Sequence, residues 1–504
     1  MAAVIPLPAK NAELKGLLYW MERALKERAR VLSSPDEDAV HDLRVALRRC
    51  RSLASVFEEV DPHPAWRDLR KSSRKLFRSL GVIRDSQVQE AWVLKLAGAD
   101  DALRPQILYA VKAGRDRQER DAKKSAAKFD DKNWPKLAHT LRSRSKLIPG
   151  DGPAAQCLAL ERLEEAAELH RRALRTEKPK PWHELRIGVK HFRYTVENLL
   201  PNQHTSWGSG LKRIQDLLGD VHDLDVLLET VRGAATESPT LDHWKETIAR
   251  ERSERIETYR QLTLGTTSLW NQWRLGLPTN GHVAEAARAR LVATARAADP
   301  NRQKNSGTTR LAKKLFSELK RAAVSPIFKE QNLEILANAA SLLHGIDPEN
   351  SGKQGHKDAR QFLSELPPPS GWTGDDWQLL ALVIRYHRGA APSAERGRFS
   401  ELEAAQQTRL LLLAGILRVA RALRKNGIQS AAKIRVETKP DSISILLEGF
   451  SEAQPVPKAL VVGKHLLESA LGKTIVFRAL ERLEPMLPLE FPSTPAKTLA
   501  AEAD

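Results

Sequence analysis

Two short segments, HDLR at residues 41–44 and HELR at residues 183–186, decide how this chain is expected to fold. Two further cations follow each segment at matching positions, so the second segment repeats the first 142 residues later (41 to 183). On a helix, positions i, i+3, i+7 and i+10 share one face, so each copy predicts a stripe of one imidazole and three cations. The eight residues are His41, Arg44, Arg48, Arg51, His183, Arg186, Lys190 and Arg193.

A second pair of matching blocks supports the repeat. Residues 80–88 correspond to residues 218–226 at an offset of 138, and a loop absorbs the four-residue difference. Residues 35–95 and 177–230 are therefore interpreted as two copies of one helical unit, which predicts a pseudo-twofold helical domain. A basic run precedes each block: Lys71, Arg74, Lys75 and Arg78 in the first copy, and Lys212 and Arg213 in the second.

Composition narrows the class of ligand and the compartment. The 504 residues carry a formal net charge of +18, which predicts attraction to polyanions such as nucleic acid, polyphosphate or anionic lipid. Aromatic residues make up only 5%, too few for repeated base stacking. Cys50 and Cys157 form neither a disulfide framework nor a zinc set, which suits the cytosol. We expect no signal peptide and no membrane span, because no segment is apolar for 18 residues.

The hydrophobic pattern predicts a mainly α protein with a small β unit. Apolar residues recur three and four apart from residue 11 to 273, and strands are predicted only near the end. A hairpin is expected around Pro440 and Asp441, followed by a helix at 461–471 and a strand at 474–477. Proline and glycine predict helix boundaries near Pro35, 62–64, 150–153, 179–181, Pro201 and 208–210.

The chemistry that the two stripes offer is anion binding. Guanidinium groups match phosphate oxygens bidentately. The two stripes, brought together by pseudo-symmetry with the two basic runs on neighbouring helices, would line a groove that binds a linear polyphosphate. In the alternative, the stripes are solvated helix faces paired with acids such as Glu58 or Glu197. No metal-binding histidine spacing, P-loop or nucleophile elbow occurs, so no cofactor is expected. His41 and His183 are expected to donate hydrogen bonds to phosphate.

The paired H-x-L-R helices and the L-G-x-x-R/H-D blocks resemble the CHAD domain, the conserved-histidine α-helical domain, over residues 10–275. The resemblance implies a pseudo-symmetric pair of helical bundles that binds inorganic polyphosphate in a basic central groove. It also implies association with polyphosphate granules in the cytoplasm. By position, it assigns the eight stripe residues to the binding surface. Lys190 stands where arginine is equally expected, which keeps the charge but weakens bidentate contact.

The C-terminal region is similar to the HD-like C-terminal domain of the exopolyphosphatase/guanosine-pentaphosphate phosphatase family. The resemblance rests on an R-Y-H-R helix, a closing β unit, and histidines at helix ends or in loops. The predicted domains span residues 1–279 and 310–490, with a linker at 280–309, where the sequence is polar and rich in turn residues, and a disordered tail at 491–504. The histidines, and an arginine beside the last of them, either contact phosphate or have structural roles: His344, His356, His387 and Arg385.

An active site of the HD type would hold a divalent metal with histidines and aspartates. Here Gly345 follows His344, and Arg421 stands where the distal acid is expected. A fixed cation repels a metal ion, and Asp347 and Asp358 are out of register, so we predict a degraded metal site.

Three functions therefore remain. The first is non-enzymatic binding of inorganic polyphosphate. The second is a metal-dependent phosphohydrolase acting on polyphosphate or a phosphorylated nucleotide. The third is nucleic-acid binding, which the low aromatic content and the missing readout motif disfavour. The sequence leaves the oligomeric state open.

Overall fold

The chain is mainly helical, with a three-stranded sheet near its C-terminal end, as the sequence predicts. Two compact units are present: one comprises the residues up to Arg302 together with Leu342–Tyr386, and the other Gln303–Ser341 together with the residues from His387 onward. The computed structural model describes residues 16–33, 37–234, 238–393, 395, 397–453 and 455–480.

Helices account for all regular structure in the N-terminal part of the described chain. They are α1 (Leu17–Ser33), α2 (Glu37–Glu58), α3 (Pro64–Leu96), α4 (Arg104–Lys112), α5 (Arg115–Ala127), α6 (Trp134–Arg144), α7 (Pro153–Leu174), α8 (Pro179–Leu199), α9 (Pro201–Ala234), α10 (Pro239–Thr263), α11 (Leu269–Leu275) and α12 (Gly281–Ala298).

The remaining elements include the sheet and a short 3-10 helix at Pro326–Lys329. They are α13 (Arg302–Arg321), α14 (Gln331–Leu343), α15 (Gly355–Glu365), α16 (Gly374–Tyr386), α17 (Ala404–Lys425), β1 (Ile434–Thr438), β2 (Ser442–Leu447), α18 (Lys458–Leu471) and β3 (Thr474–Ala479).

Prolines begin several of the helices. Pro64, Pro153, Pro179 and Pro201 are the first residues of α3, α7, α8 and α9, where the missing N–H group costs no hydrogen bond. At α3, His63 adds a cap, because its Nδ1 accepts a hydrogen bond from the Ala65 backbone N–H at 3.2 Å. These boundaries confirm the predicted ones, and Pro35 lies outside the described residues.

The boundary predicted at residues 208–210 is wrong. Both glycines lie inside α9, which continues from Pro201 to Ala234. A Cβ atom on Gly210 would stand 3.2 Å from a methyl group of Leu269, so this glycine lets α11 approach α9 closely. Here glycine serves helix packing, and it does not end the helix.

The two copies of the repeat bury the same face. α2 and α3 correspond to α8 and α9, and α1 packs on α2 as α7 packs on α8. Leu43 and Leu47 of α2 are fully buried, and so are their counterparts Leu185 and Val189 of α8. Each contributes about 1.5–3 kcal/mol of hydrophobic stabilisation. Because these apolar positions point inward, the cations between them lie at the boundary of the core.

The sheet belongs to the second compact unit and has the order β1-β2-β3. β1 and β2 form the predicted antiparallel hairpin, in which Val436 faces Ile445. The chain then crosses through α18 and returns as β3, parallel to β2. α18 packs on α17, where Gly463 allows its backbone to approach Val419.

The segment 280–309, predicted as a linker, contains α12 and the beginning of α13. The predicted tail at 491–504 lies outside the described residues. α12 packs against α7, and its Ala286 and Ala287 are buried beside Cys157.

A buried ion pair fastens α12 to α7 within the first unit. Arg290 of α12 is 1% exposed, and its Nη1 donates to Glu161 Oε1 of α7 at 2.7 Å. Nη2 of Arg290 also donates to the Pro367 carbonyl at 3.3 Å. Nearby, Ser370 donates to Glu164 Oε2 at 2.9 Å. The segment after α15 is therefore joined by hydrogen bonds to α7 and α12.

We predict that Arg290→Ala destabilises the first unit by about 3–5 kcal/mol, because it leaves the Glu161 carboxylate buried without its partner. The measurement is urea unfolding followed by circular dichroism. The matched control is Arg288→Ala, an exposed arginine on the same helix, which should cost less than about 0.5 kcal/mol. Equal losses in the two variants would contradict the role assigned to this ion pair.

Candidate anion-binding site

One cavity joins the two copies of the repeat. Its volume is about 320 Å³, within the range of ligand pockets. Four of the predicted site residues line it, three from α2 and one from α8. The lining residues are Arg44, Arg48, Arg51, Ser52, Ser55, Val56, Arg70, Phe77, Arg162, Ile187, Lys190, His191, Tyr194 and Thr195.

Arg44 lies against α3 at the repeated L-G block. Its Nη1 donates to the Phe77 carbonyl at 3.3 Å, and its guanidinium carbon stands 4.8 Å from the centre of the Phe77 ring. A Cβ atom on Gly81 would come within 2.9 Å of this Nη1, so glycine makes room for the guanidinium group. Burial lowers the pKa of Arg44, and Asp85 partly counteracts that effect.

Arg48 and Arg51 follow Arg44 along the same face of α2. The guanidinium carbon of Arg48 is 5.9 Å from the ring centre of Tyr194, a residue of α8. Arg51 shares Phe77 with Arg44, at 5.2 Å, and its Nη1 donates to Ser73 Oγ at 3.2 Å. The aromatic rings thus hold the three guanidinium groups in place by cation–π contact.

The acids near these cations, Asp85 beside Arg44 and Asp223 beside Lys190, do not pair with them directly. No described carboxylate lies within ion-pair distance of Arg44, Arg48, Arg51 or Lys190. The buried Nε of Arg48 also has no hydrogen-bond partner in the described part of the chain. A buried donor without a partner costs about 1–3 kcal/mol, and an anion in the cavity would supply an acceptor for it.

Lys190 registers the accumulated positive charge. Burial, together with the nearby cations Arg186, Arg48 and Arg44, lowers its pKa to about 7. Arginine cannot give up its proton in this way, whereas a lysine can. Near neutral pH, partial loss of the Lys190 proton therefore reduces the repulsion among the cations of the cavity.

Arg186, the counterpart of Arg44, lies beside the cavity. Burial raises the pKa of Asp223 to about 6, and Arg186 and Lys190 oppose that shift. Gln89 of α3 donates to the Asp223 carbonyl at 2.8 Å, so α3 and α9 meet at this point. The second L-G block therefore supplies Arg186 with a neighbouring carboxylate.

The two predicted histidines differ in their surroundings. His41 is exposed near the start of α2. His183 is half-buried, and its Nδ1 lies 3.3 Å from Nδ1 of His222. Burial, together with Arg186 and Lys190, lowers the pKa of His183, and burial lowers that of His222 to about 4. Both of these rings are therefore neutral at pH 7.

The acids next to these histidines pair with arginines of the preceding helices. Asp42 accepts a hydrogen bond from Arg23 at 3.1 Å, and Glu184 accepts one from Arg172 at 2.8 Å. Each acid therefore joins its helix to the preceding one, α1 or α7.

The other predicted cations lie outside the cavity lining. Arg193 stands 4.0 Å from Glu197, an acid that also pairs with Arg49. The two basic runs form exposed surfaces of α3 and α9. They are Lys71, Arg74, Lys75 and Arg78 on α3, and Lys212 and Arg213 on α9.

Three basic lining residues were missed from the sequence: Arg70, Arg162 and His191. Arg70 lies one helical turn before Arg74, and His191 directly follows Lys190, so both extend patterns that the sequence already showed. Arg162 lies on α7 outside either stripe and carries no such signal. Arg162 is paired with Glu59 and Glu165, and Arg70 with Glu58, so these two arginines are partly neutralised.

The HD-like residues are distributed over both compact units. In the first unit His344 and His356 are buried, and Asp347 accepts backbone hydrogen bonds from Ser351 and Gly352 at 2.9 and 2.8 Å. Both oxygens of Asp347 are thus engaged by backbone N–H groups. In the second unit, burial lowers the pKa of Arg421.

The remaining HD-like residues form no metal-ligand cluster in the described part of the chain. His387, in the second unit, is also buried. Arg385 stacks on the adjacent Tyr386 ring at 5.3 Å, and Asp358 lies in the first turn of α15. Among the described residues, no group of three or more His, Cys, Asp or Glu side chains is placed to hold a metal ion. In the same residues, no helix has the length and apolar character needed to cross a membrane.

Comparison with known proteins identifies both parts of the chain. Residues 19–232 match the CHAD domain, and residues 298–458 match Ppx/GppA phosphatase, domain III. The chain is similar to the crystal structure of the CHAD domain from the plant Ricinus communis. Identity is 21%, with 49% of this chain and 88% of that chain covered and a TM-score of 0.38. None of the curated proteins matches. The chain therefore consists of a CHAD domain followed by a Ppx/GppA phosphatase domain III.

Proposed function

We propose that the cavity between the two repeats binds a segment of linear inorganic polyphosphate and catalyses no reaction on it. The observation that carries this proposal is the set of cations around one cavity, from α2 and α8, with no carboxylate at ion-pair distance in the described residues. A chain of phosphates would supply several charges to Arg44, Arg48, Arg51 and Lys190 at once, each in a charge-assisted hydrogen bond.

The aromatic residues of the cavity favour an anion without a base. Phe77 is covered by the guanidinium groups of Arg44 and Arg51, and Tyr194 faces Arg48. Nucleic-acid binding commonly uses such rings as stacking platforms. Since these rings already hold the cations in place, a ligand composed only of phosphate fits the cavity better.

Domain III has no catalytic step in this proposal. Asp347 uses both oxygens for backbone hydrogen bonds, and Arg421 stands at the position where the sequence pattern leads one to expect an acid. The alternative is a metal-dependent phosphohydrolase. It requires release of orthophosphate from polyphosphate or a phosphorylated nucleotide in the presence of Mg²⁺, Mn²⁺ or Co²⁺, and such release would refute a purely binding role.

Polyphosphate binding also suggests a location. A protein with this ligand would collect at polyphosphate granules in the cytoplasm. Fluorescence microscopy of the tagged full chain, with and without polyphosphate in the cell, tests this part of the proposal.

The first binding prediction concerns Arg48, which lies between the two repeats. Arg48→Glu should weaken binding of long-chain polyphosphate by about 10- to 100-fold, because it removes a charge-assisted contact and adds a repulsive carboxylate. Fluorescence polarisation at fixed salt concentration measures the dissociation constant.

The matched control for Arg48→Glu is Arg142→Glu, which makes the same change in net charge at an exposed position on α6. It should alter affinity less than about threefold, because screening weakens charges more than about 10 Å apart. If both variants bind as weakly as each other, net charge and not the cavity determines affinity.

A second prediction separates stability from binding at the repeated glycines. Gly81→Ala should weaken polyphosphate binding by about threefold to tenfold, because its methyl group displaces the guanidinium of Arg44. Alanine in mid-helix should at the same time stabilise α3 by up to about 1 kcal/mol. Calorimetric titration and thermal unfolding of one sample measure both effects.

The counterpart Gly219→Ala is the control for Gly81→Ala, since a Cβ atom on Gly219 meets no atom within 4 Å. It should gain the same helix stability and keep wild-type affinity. Weakened binding in the Gly219 variant would show that the loss is not specific to the Arg44 contact.

A third prediction concerns pH. In the free protein Lys190 has a pKa of about 7, and a bound anion raises it, so binding above pH 7 takes up a proton. Affinity should therefore fall by up to about tenfold per pH unit between pH 7 and pH 9. Lys190→Arg, which stays protonated, should flatten this profile, and an unchanged slope in that variant would contradict the assignment.

A further inference from the structure

The two copies of the repeat carry equivalent cations but differ in their neighbouring acids. At the far end of the α8 stripe, Arg193 has Glu197 beside it. The first copy has Ser55 at the position that corresponds to Glu197, and Ser55 lines the cavity. Arg51, the counterpart of Arg193, therefore has no carboxylate one helical turn further along its helix, whereas Arg193 does.

The surfaces of α3 and α9 differ in the same direction. Arg74 and Arg78 lie one turn apart on α3 and are both exposed. Their counterparts on α9 are Lys212 and Asp216, so an acid replaces the second cation. Asp216 also lies one turn from Asp220 on α9. The basic surface is therefore continuous on α3 and interrupted on α9.

The α3 surface is connected electrostatically to the cavity. Arg51 Nη1 donates a hydrogen bond to the Arg70 carbonyl of α3 at 2.5 Å, and Arg74 and Arg78 follow Arg70 one and two helical turns further along that helix. These neighbouring cations add to burial in lowering the pKa of Arg51. Arg51 and Arg70 both line the cavity. A line of positive charge thus runs from inside the cavity to the exposed face of α3.

We propose that a polyphosphate chain leaves the cavity along α3, over Arg51, Arg74 and Arg78, and not along α9. This inference rests on the proposed function and adds a direction to it. Despite its pseudo-twofold fold, the domain binds the chain asymmetrically. The cavity holds one segment of the chain, and the α3 surface binds the segment that follows.

The experiment compares two double variants of the full chain. Arg74→Glu with Arg78→Glu reverses the α3 surface, and Lys212→Glu with Arg213→Glu makes the same change in net charge on α9. Each is titrated with tripolyphosphate, which is short enough to stay in the cavity, and with a long polyphosphate chain. Affinities are measured over a series of salt concentrations, and circular dichroism verifies that each variant is folded.

The α3 variant should weaken long-chain binding by on the order of 10- to 100-fold. The slope of log affinity against log salt concentration should become shallower by about the amount that two phosphate contacts contribute. The same variant should change the affinity for tripolyphosphate by less than about threefold. The α9 variant should change the affinity for either ligand by less than about threefold. Equal losses for the two double variants with the long chain would overturn the asymmetric path. Neutral Arg74→Gln with Arg78→Gln repeats the test without added repulsion.

Failure of this inference differs from failure of the proposed function. If Arg48→Glu weakens both ligands while the α3 and α9 variants behave alike, the cavity binds polyphosphate but the path is not along α3. If Arg48→Glu leaves the affinities for tripolyphosphate and for the long chain unchanged, the cavity itself is not the binding site.

Discussion

The half-buried positive charge between α2 and α8 is the constraint on which the rest of the first unit depends. Arginines and a lysine are held near one another with no described carboxylate at ion-pair distance, which opposes folding. The buried apolar faces of both helices, with Leu43 and Leu185 among them, must offset that repulsion. Lys190 lowers the cost by releasing its proton near pH 7, and the aromatic rings of Phe77 and Tyr194 stabilise the arginines that cannot.

Much of the fold follows from local sequence signals. Prolines at the first helical position and alternating residues in the hairpin specify structure through a few neighbouring residues, and they predicted α3, α7, α8, α9, β1 and β2. Gly210 could not be interpreted in this way. Its role depends on a long-range contact with Leu269, a residue about sixty positions later in the chain. A glycine that ends a helix looks the same in the sequence.

The site was predictable to the extent that the repeat is symmetric. The offset between the two HxLR segments predicted the cations of α2 and α8, because equivalent helices place equivalent residues on the same face. Four of these cations line the cavity. It could not distinguish Arg51 from Arg193, since the difference arises from Ser55 and Glu197, one helical turn further along α2 and α8. Arg162 was missed for a related reason: it reaches the cavity from α7, and only the tertiary fold brings that helix to the two stripes.

The ion pair between Arg290 and Glu161 has a consequence for how the chain can be divided. The matched family boundary lies at residue 298, yet α12 and the segment after α15 are fastened to α7 by hydrogen bonds from Arg290 and Ser370. A CHAD fragment ending at residue 232 would uncover the face of α7 that α12 buries, including Cys157 and the Glu161 carboxylate. A fragment that keeps this face of α7 covered must therefore extend beyond residue 232 to include α12.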